Sequence, residues 1–157
     1  YRTFSKAYGL AGARIGYALG HKDVIAAFDK VRNHYGINRV GQLGALAALL
    51  DQPYLASVVS AIARARDRIG EIARASDLKP LPSATNFVAI DCGGDGALAA
   101  RVLEGVLDRG VFIRKPAIAP LDRCIRVSCG LDADLELFAR ALPEAVKEAR
   151  RQTRSVI

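Results

Sequence analysis

Methionine is absent from the 157 residues, histidine occurs twice, cysteine three times, and aromatic side chains make up only 6%. Each shortage excludes something. A chain that opens Tyr1-Arg2-Thr3 with no Met is expected to start partway into a larger protein. Its front also lacks a charged segment followed by an apolar stretch of roughly 7–15 residues, so no signal peptide is expected. His21 and His34 are too few and too poor in partners for a metal site, and none is expected. Cys92, Cys124 and Cys129 are odd in number and contain no Cys-x-x-Cys. That argues against a disulfide framework and for a reducing compartment, which leads to a cytoplasmic expectation. Each cysteine lies in or beside an apolar run and reads as a small core residue. No run approaches the ~18 apolar residues of a membrane span, so no membrane partner is expected. The net charge is +7, from 23 Lys and Arg against 16 Asp and Glu. The basic residues are spread along predicted helices and few aromatics are free to stack on bases, so no nucleic-acid partner is expected either. The densest cluster, Lys147, Arg150, Arg151 and Arg154, suits the C-terminal end of a helix dipole.

What is present is ordinary globular material, 51% hydrophobic and 25% charged, long enough for about one domain or two small lobes. Tyr1 to Phe4 reads as the end of a strand, and 5–12 as a loop of small residues. Alternation makes Ala13 to Leu19 β-like, with Arg14, Gly16 and Ala18 on one face. A helix from about Asp23 carries Val24, Ile25, Phe28 and Val31 on one side. Residues 33–38 form a turn. Val40 to Leu50 is so rich in Ala and Leu that a buried helix is expected. A long helix begins near Pro53, runs to about Ala75 and is expected to end at Lys79-Pro80-Leu81-Pro82. Beyond it the pattern predicts a strand over 86–92, a helix over 97–109 capped by Gly110, strands over 111–115 and 124–129, and a last helix N-capped by Asp132. The division expected is 1–52, a connecting helix 53–79, and a small α+β domain 80–157.

The most informative run is Thr3-Phe4-Ser5-Lys6-Ala7-Tyr8-Gly9-Leu10-Ala11-Gly12, followed by Arg14-Ile15-Gly16-Tyr17. It sets one lysine in a tight loop of small residues, with hydroxyls at Thr3 and Ser5 and an arginine on the next predicted strand. Desolvation disfavours an ammonium, so such a lysine is poised to lose its proton, and a neutral lysine forms Schiff bases. Two hydroxyls and a forked guanidinium make an anion cradle. Gly16 and Ala18, beside Arg14, are expected to leave room for a ligand. Taken singly, the same residues also fit a surface lysine and an arginine paired with an acid. A carbonyl on a lysine with a phosphate beside it describes pyridoxal 5′-phosphate.

The run resembles, at every position, the cofactor-lysine motif of class II pyridoxal-phosphate aminotransferases, and is most similar to the histidinol-phosphate aminotransferase subgroup. The resemblance implies an α/β fold: the C-terminal part of a fold-type I transferase, comprising the end of the large domain and a small α+β domain. It implies that Lys6 is the internal-aldimine lysine and the base that moves a proton between Cα and the cofactor. It implies that Ser5 and Arg14 hold the cofactor phosphate, with Thr3 beside them in a role that is also compatible with structure alone. Cys124-Ile125-Arg126-Val127-Ser128-Cys129-Gly130 resembles the family strand whose arginine clamps the substrate α-carboxylate, which assigns that role to Arg126. Alternation sets Ile125 and Val127 on one face and Arg126 and Ser128 on the other, and a solvent-facing arginine fits the same pattern. Ser83 to Val88 resembles the family's small-domain entry strand and reads as structural. Arg114 reads as a solvated strand-end residue.

His34-Tyr35-Gly36-Ile37-Asn38 departs from the Pro-Tyr-Asn pattern of many relatives; Tyr35 and Asn38 read as loop packing, and the resemblance also allows either to line the pocket. The family's ring-binding Asp and aromatic belong before the lysine and so are not in this chain. The reading is therefore the back part of an aminotransferase acting on an amino acid or amino-alcohol phosphate and a 2-oxo acid, homodimeric by resemblance, with little or no activity expected of these residues alone. A decarboxylase of the threonine-phosphate type, and an inactive remnant or basic binding domain, are the alternatives.

Overall fold

A computed structural model of the chain describes residues 1–154. The side chain of Arg154, from the basic cluster, and residues 155–157 of the expected small domain lie outside what is described. The chain divides into two compact units, Tyr1–Ser60 and the residues from Ala61 onward. The division falls inside the long helix, whose second half supplies core residues to the second unit.

In the first unit, β1 (Arg2–Thr3) pairs antiparallel with β2 (Gly16–Tyr17), with Arg2 opposite Tyr17 and Thr3 opposite Gly16. The expected strand over 13–19 shrinks to these two residues. Arg14 is the reason: it takes a left-handed conformation, φ 52°, at the end of a 3₁₀ turn over Ala11–Ala13. Gly16 is also not room for a ligand. A Cβ there would sit 2.7 Å from the Arg2 carbonyl oxygen, so the missing side chain admits the neighbouring strand. Phe4 is buried and touches the rings of Tyr8 and Tyr17.

Two helices follow, α1 (Lys22–Asp29) and α2 (Arg39–Leu50). α1 shows the expected apolar periodicity and α2 the expected richness in Ala and Leu, yet their apolar side chains stay largely open in this chain. Phe28 and Val31 are exposed, and in α2 only Gly41 and Ala45 are buried while Val40, Leu43 and Leu50 are exposed. The buried helix expected over 40–50 is thus uncovered, because none of the described residues lies over that face. α3 (Gln52–Ala75) starts at Asp51, whose carboxylate accepts from Tyr54 N at 3.1 Å.

The second unit has the larger core. β3 (Lys79–Pro80), β4 (Phe87–Asp91) and β5 (Cys124–Ser128) form an antiparallel sheet in the order β3-β4-β5. Val88, Ile90, Ile125 and Val127 point into a core shared with Ile69 and Ile72 of α3, Val102 and Val106 of α4 (Gly96–Leu107), and Phe138 and Leu142 of α5 (Asp132–Arg154). α5 keeps Pro143 in its interior.

Two boundaries and one stop signal differ from expectation. α3 ends at Ala75, as expected, but not at the prolines: Asp77 adopts φ 55°, Asp77 N donates to Arg74 O and Leu78 N to Ala73 O, which closes the helix ahead of Pro80. Arg150 of the basic cluster donates to Asp77 O from the facing helix. Residues 111–115 form no strand, because Gly110 at φ 82° closes α4 and only Arg114 then pairs, in a bridge to Arg126. Asp132 is the first helical residue of α5 and not its cap; Asp134 reaches back to accept from Leu131 N at 3.1 Å. No single helix among the described residues is long and apolar enough to cross a membrane.

Candidate functional site

The predicted site residues fall into two groups, one in each unit. Thr3, Ser5, Lys6 and Arg14 lie together in the first.

The loop carrying Lys6 is tied at both ends. Phe4 N donates to Ile15 O and Leu10 N to Phe4 O, at 3.2 and 2.9 Å. Gly9 N closes a turn onto Lys6 O at 2.8 Å, with Gly9 at φ 71°. Lys6 therefore sits at the start of a tight turn beside a buried aromatic. The lysine itself is exposed, so these residues do not supply the desolvation that the small-residue surroundings suggested.

Arg14 folds back over the same loop. Its Nη1 donates to Ala11 O at 2.9 Å and reaches Ser5 Oγ at 3.5 Å. A hydroxyl and a guanidinium thus converge next to the lysine. Thr3 has a different task, since its Oγ1 accepts from Ser5 N at 3.1 Å and shapes the main chain. Asn38, read from the sequence as loop packing, holds the other side of this cup. Its Oδ1 accepts from Gly41 N at 2.6 Å, capping α2, and its Nδ2 donates to Ala13 O at 3.3 Å, just before Arg14. Tyr35 is 95% exposed.

The second group centres on Arg126. Ile125 and Val127 are buried in the core, so Arg126 stands on the opposite face of β5, as alternation required. Its main chain is paired on both sides, with Ala89 of β4 and with Arg114. Its guanidinium carbon lies 4.9 Å from the Phe87 ring centre, and its Nε is buried with no hydrogen-bond partner. Sequence reasoning missed Phe87 here, because it meets Arg126 only once the register sets Phe87 opposite Ser128. Arg114 is exposed.

Burial holds the cysteine thiols toward the neutral form. Burial pushes the Cys92 thiol up to about 11 and raises Cys124 and Cys129 as well. Asp91, buried at the end of β4, is held below the ordinary aspartate value by the Arg123 guanidinium and by the Gly93 amide. Among the described residues no three His, Cys, Asp or Glu side chains cluster to hold a metal.

Residues 1–142 match the family model for class I and II aminotransferases. The chain belongs to that family. Among curated members, it is 38% identical over 144 residues to a histidinol-phosphate aminotransferase of Syntrophotalea carbinolica, covering 91% of this chain and 41% of the relative. Among solved structures, histidinol-phosphate aminotransferase from Sinorhizobium meliloti in complex with pyridoxal-5′-phosphate superposes with a TM-score of 0.89 at 56% identity, over 94% of this chain and 40% of that one. The L-threonine-O-3-phosphate decarboxylase of Porphyromonas gingivalis shares the fold, with a TM-score of 0.72 at 23% identity over 92% of this chain and 45% of that one. The chain thus spans about two fifths of the length of the family members it matches. Their fold is the fold-type I aminotransferase α/β architecture, of which this chain is a part.

Proposed function

We propose that this chain supplies the cofactor lysine, part of the phosphate cup and the carboxylate clamp of a pyridoxal-phosphate-dependent aminotransferase. The substrates are an amino acid or an amino-alcohol phosphate of the histidinol-phosphate kind, and a 2-oxo acid. The observation that carries the reading is the convergence of Arg14 and Ser5 beside Lys6, in a chain of this family.

The donor set suits the cofactor. A guanidinium fork and a hydroxyl match phosphate oxygens, and an adjacent amine matches a carbonyl. Arg14 and Ser5 would hold the phosphate, Thr3 fixes the main chain that presents Ser5, and Lys6 would hold the cofactor at its carbonyl end. When bound, the cofactor is an electron sink that acidifies the substrate Cα–H. Lys6 Nζ would serve as the base for that proton. Arg126 would receive the substrate carboxylate edge-on. The holoenzyme is a homodimer in a reducing cytoplasm, a setting compatible with three free thiols.

Borohydride reduction of the full-length protein loaded with pyridoxal phosphate, followed by peptide mass spectrometry, is expected to find a pyridoxyl adduct on Lys6. Lys6→Ala is expected to lose the adduct and at least ~10³-fold in transamination, since general-base catalysis alone contributes about 10²–10⁴. An adduct on another lysine would sink the assignment. Release of CO2 with no amino transfer to a 2-oxo acid would instead favour a decarboxylase, the activity of a protein that shares this fold.

A further inference from the structure

We propose that Phe87 is the positioning residue for Arg126, its ring fixing the guanidinium so that the charged edge meets a substrate carboxylate in one orientation. The inference rests on the carboxylate role proposed above for Arg126.

The geometry builds it in steps. Val88 and Ile90 are buried in the core, so Phe87 and Ala89 stand on the other face of β4. Ala89 is directly opposite Arg126, and its single methyl leaves the space into which the long side chain lies. Phe87 is the diagonal neighbour across that gap. The Arg126 main chain is clamped as well, its N–H donating to Arg114 O at 2.6 Å and its carbonyl accepting from Arg114 N at 3.1 Å. The Cα is thus held between β4 and the Arg114 bridge, and the head by the ring 4.9 Å from the guanidinium carbon.

Two further facts show what the ring does. The Nε of Arg126 is buried without a partner, an arrangement that costs free energy and that a fold keeps where the rest of the group is needed elsewhere. Among the described residues no carboxylate lies within ion-pair range of Arg126. A ring on one face of a guanidinium leaves its in-plane N–H groups clear, and those are the groups that bind a carboxylate in two parallel bonds. Without the ring, the same arginine samples several rotamers and loses the fixed angle that sets Cα.

The test uses the full-length holoenzyme and a matched pair of amines, L-phenylalanine and phenethylamine, which differ only in the carboxylate. Single-turnover rates at the cofactor absorbance give a preference for the acid over the amine. Phe87→Leu is expected to lower that preference about 5- to 30-fold, through the acid alone, as a cation–π contact of ordinary strength would. Phe87→Tyr is expected to restore it. Phe87→Met serves where Phe87→Leu does not fold. An equal loss on both amines, or no loss on the acid, overturns the positioning role. Arg126→Gln separates the two readings: it is expected to abolish the preference. If it leaves the preference intact, the carboxylate role of Arg126 falls and the role of Phe87 falls with it. If Arg126→Gln abolishes the preference and Phe87→Leu leaves it intact, only the Phe87 inference fails.

Discussion

A single amide, Asn38, ties the start of α2 to the residue before Arg14, accepting at one end and donating at the other. Arg14 is in the left-handed region, a conformation that a residue with a Cβ holds only where its surroundings fix it. The tie to Ala13 O is one such constraint, and the Arg14 bond to Ala11 O is another. Asn38→Ala removes both the cap and the tie. It is expected to cost about 1 kcal/mol of stability and to weaken retention of pyridoxal phosphate several-fold. Asn38→Ser keeps a good capping residue but is too short to reach Ala13. Its expected signature is near-normal thermal unfolding with the same weakened retention, read by dialysis of the full-length holoprotein. Retention equal to that of the unsubstituted protein in both variants would show that the tie does not matter to the cup. The motif itself was legible because it is contiguous: Thr3, Ser5, Lys6 and Arg14 lie within a dozen residues. The tie made by Asn38 and the contact made by Phe87 were not legible, because each acts on a residue brought close by folding and not by sequence.

Among the elements, the long-period patterns were legible and the short ones were not. α3, α4 and α5 show enough turns for an apolar stripe to stand out, and β4 and β5 alternate cleanly between core and open face. The strand expected over 111–115 failed because alternation reports only which faces differ, and pairing needs a neighbour in register. The cap of α5 was misplaced by one residue because Asp132 and Asp134 are both good first-turn acids, and only the second reaches Leu131 N. The end of β4 offers a test of how elements are joined. Asp91 binds Arg123 through Nε at 3.0 Å and through Nη2, and it accepts from Gly93 N at 2.9 Å. Its folded-state value is lowered, so its contribution to stability is present above the unfolded value of about 3.9 and is lost as pH falls through the folded value. Arg123 is half exposed, which limits the pair to about 1 kcal/mol. Asp91→Asn is therefore expected to be less stable by about that amount at pH 7. The gap should close as pH falls from about 4 through the lowered value, measured by urea unfolding across that range. A gap that persists below this window would assign the loss to packing and not to charge.

At the scale of the whole molecule, buried apolar side chains are distributed unevenly. The contiguous core runs from Ala65 to Ala149 and lies entirely in the second unit. In the first, Phe4, Gly41 and Ala45 are buried, while Leu43, Leu46 and Leu50 of α2 and Val31 beyond α1 are open. Periodicity revealed which faces are apolar but not what covers them, since cover is a property of partners in space. A unit that buries little gains little from folding, whereas chain entropy opposes every ordered residue at a similar rate. The two units are thus expected to differ in local stability. Limited chymotrypsin digestion of the 157-residue chain tests this, because both units offer Phe and Leu sites. Early cuts are expected at Tyr35, Leu43, Leu46 and Tyr54, with a fragment beginning at Leu55 or Ala56 outlasting the rest by at least about tenfold, equivalent to about 1.4 kcal/mol in opening free energy. Equal lifetimes for the two parts would mean that the small set of contacts around Phe4 and Ala45 stabilises the first unit far beyond its buried area, and the lysine loop would then be rigid without help from any further surface.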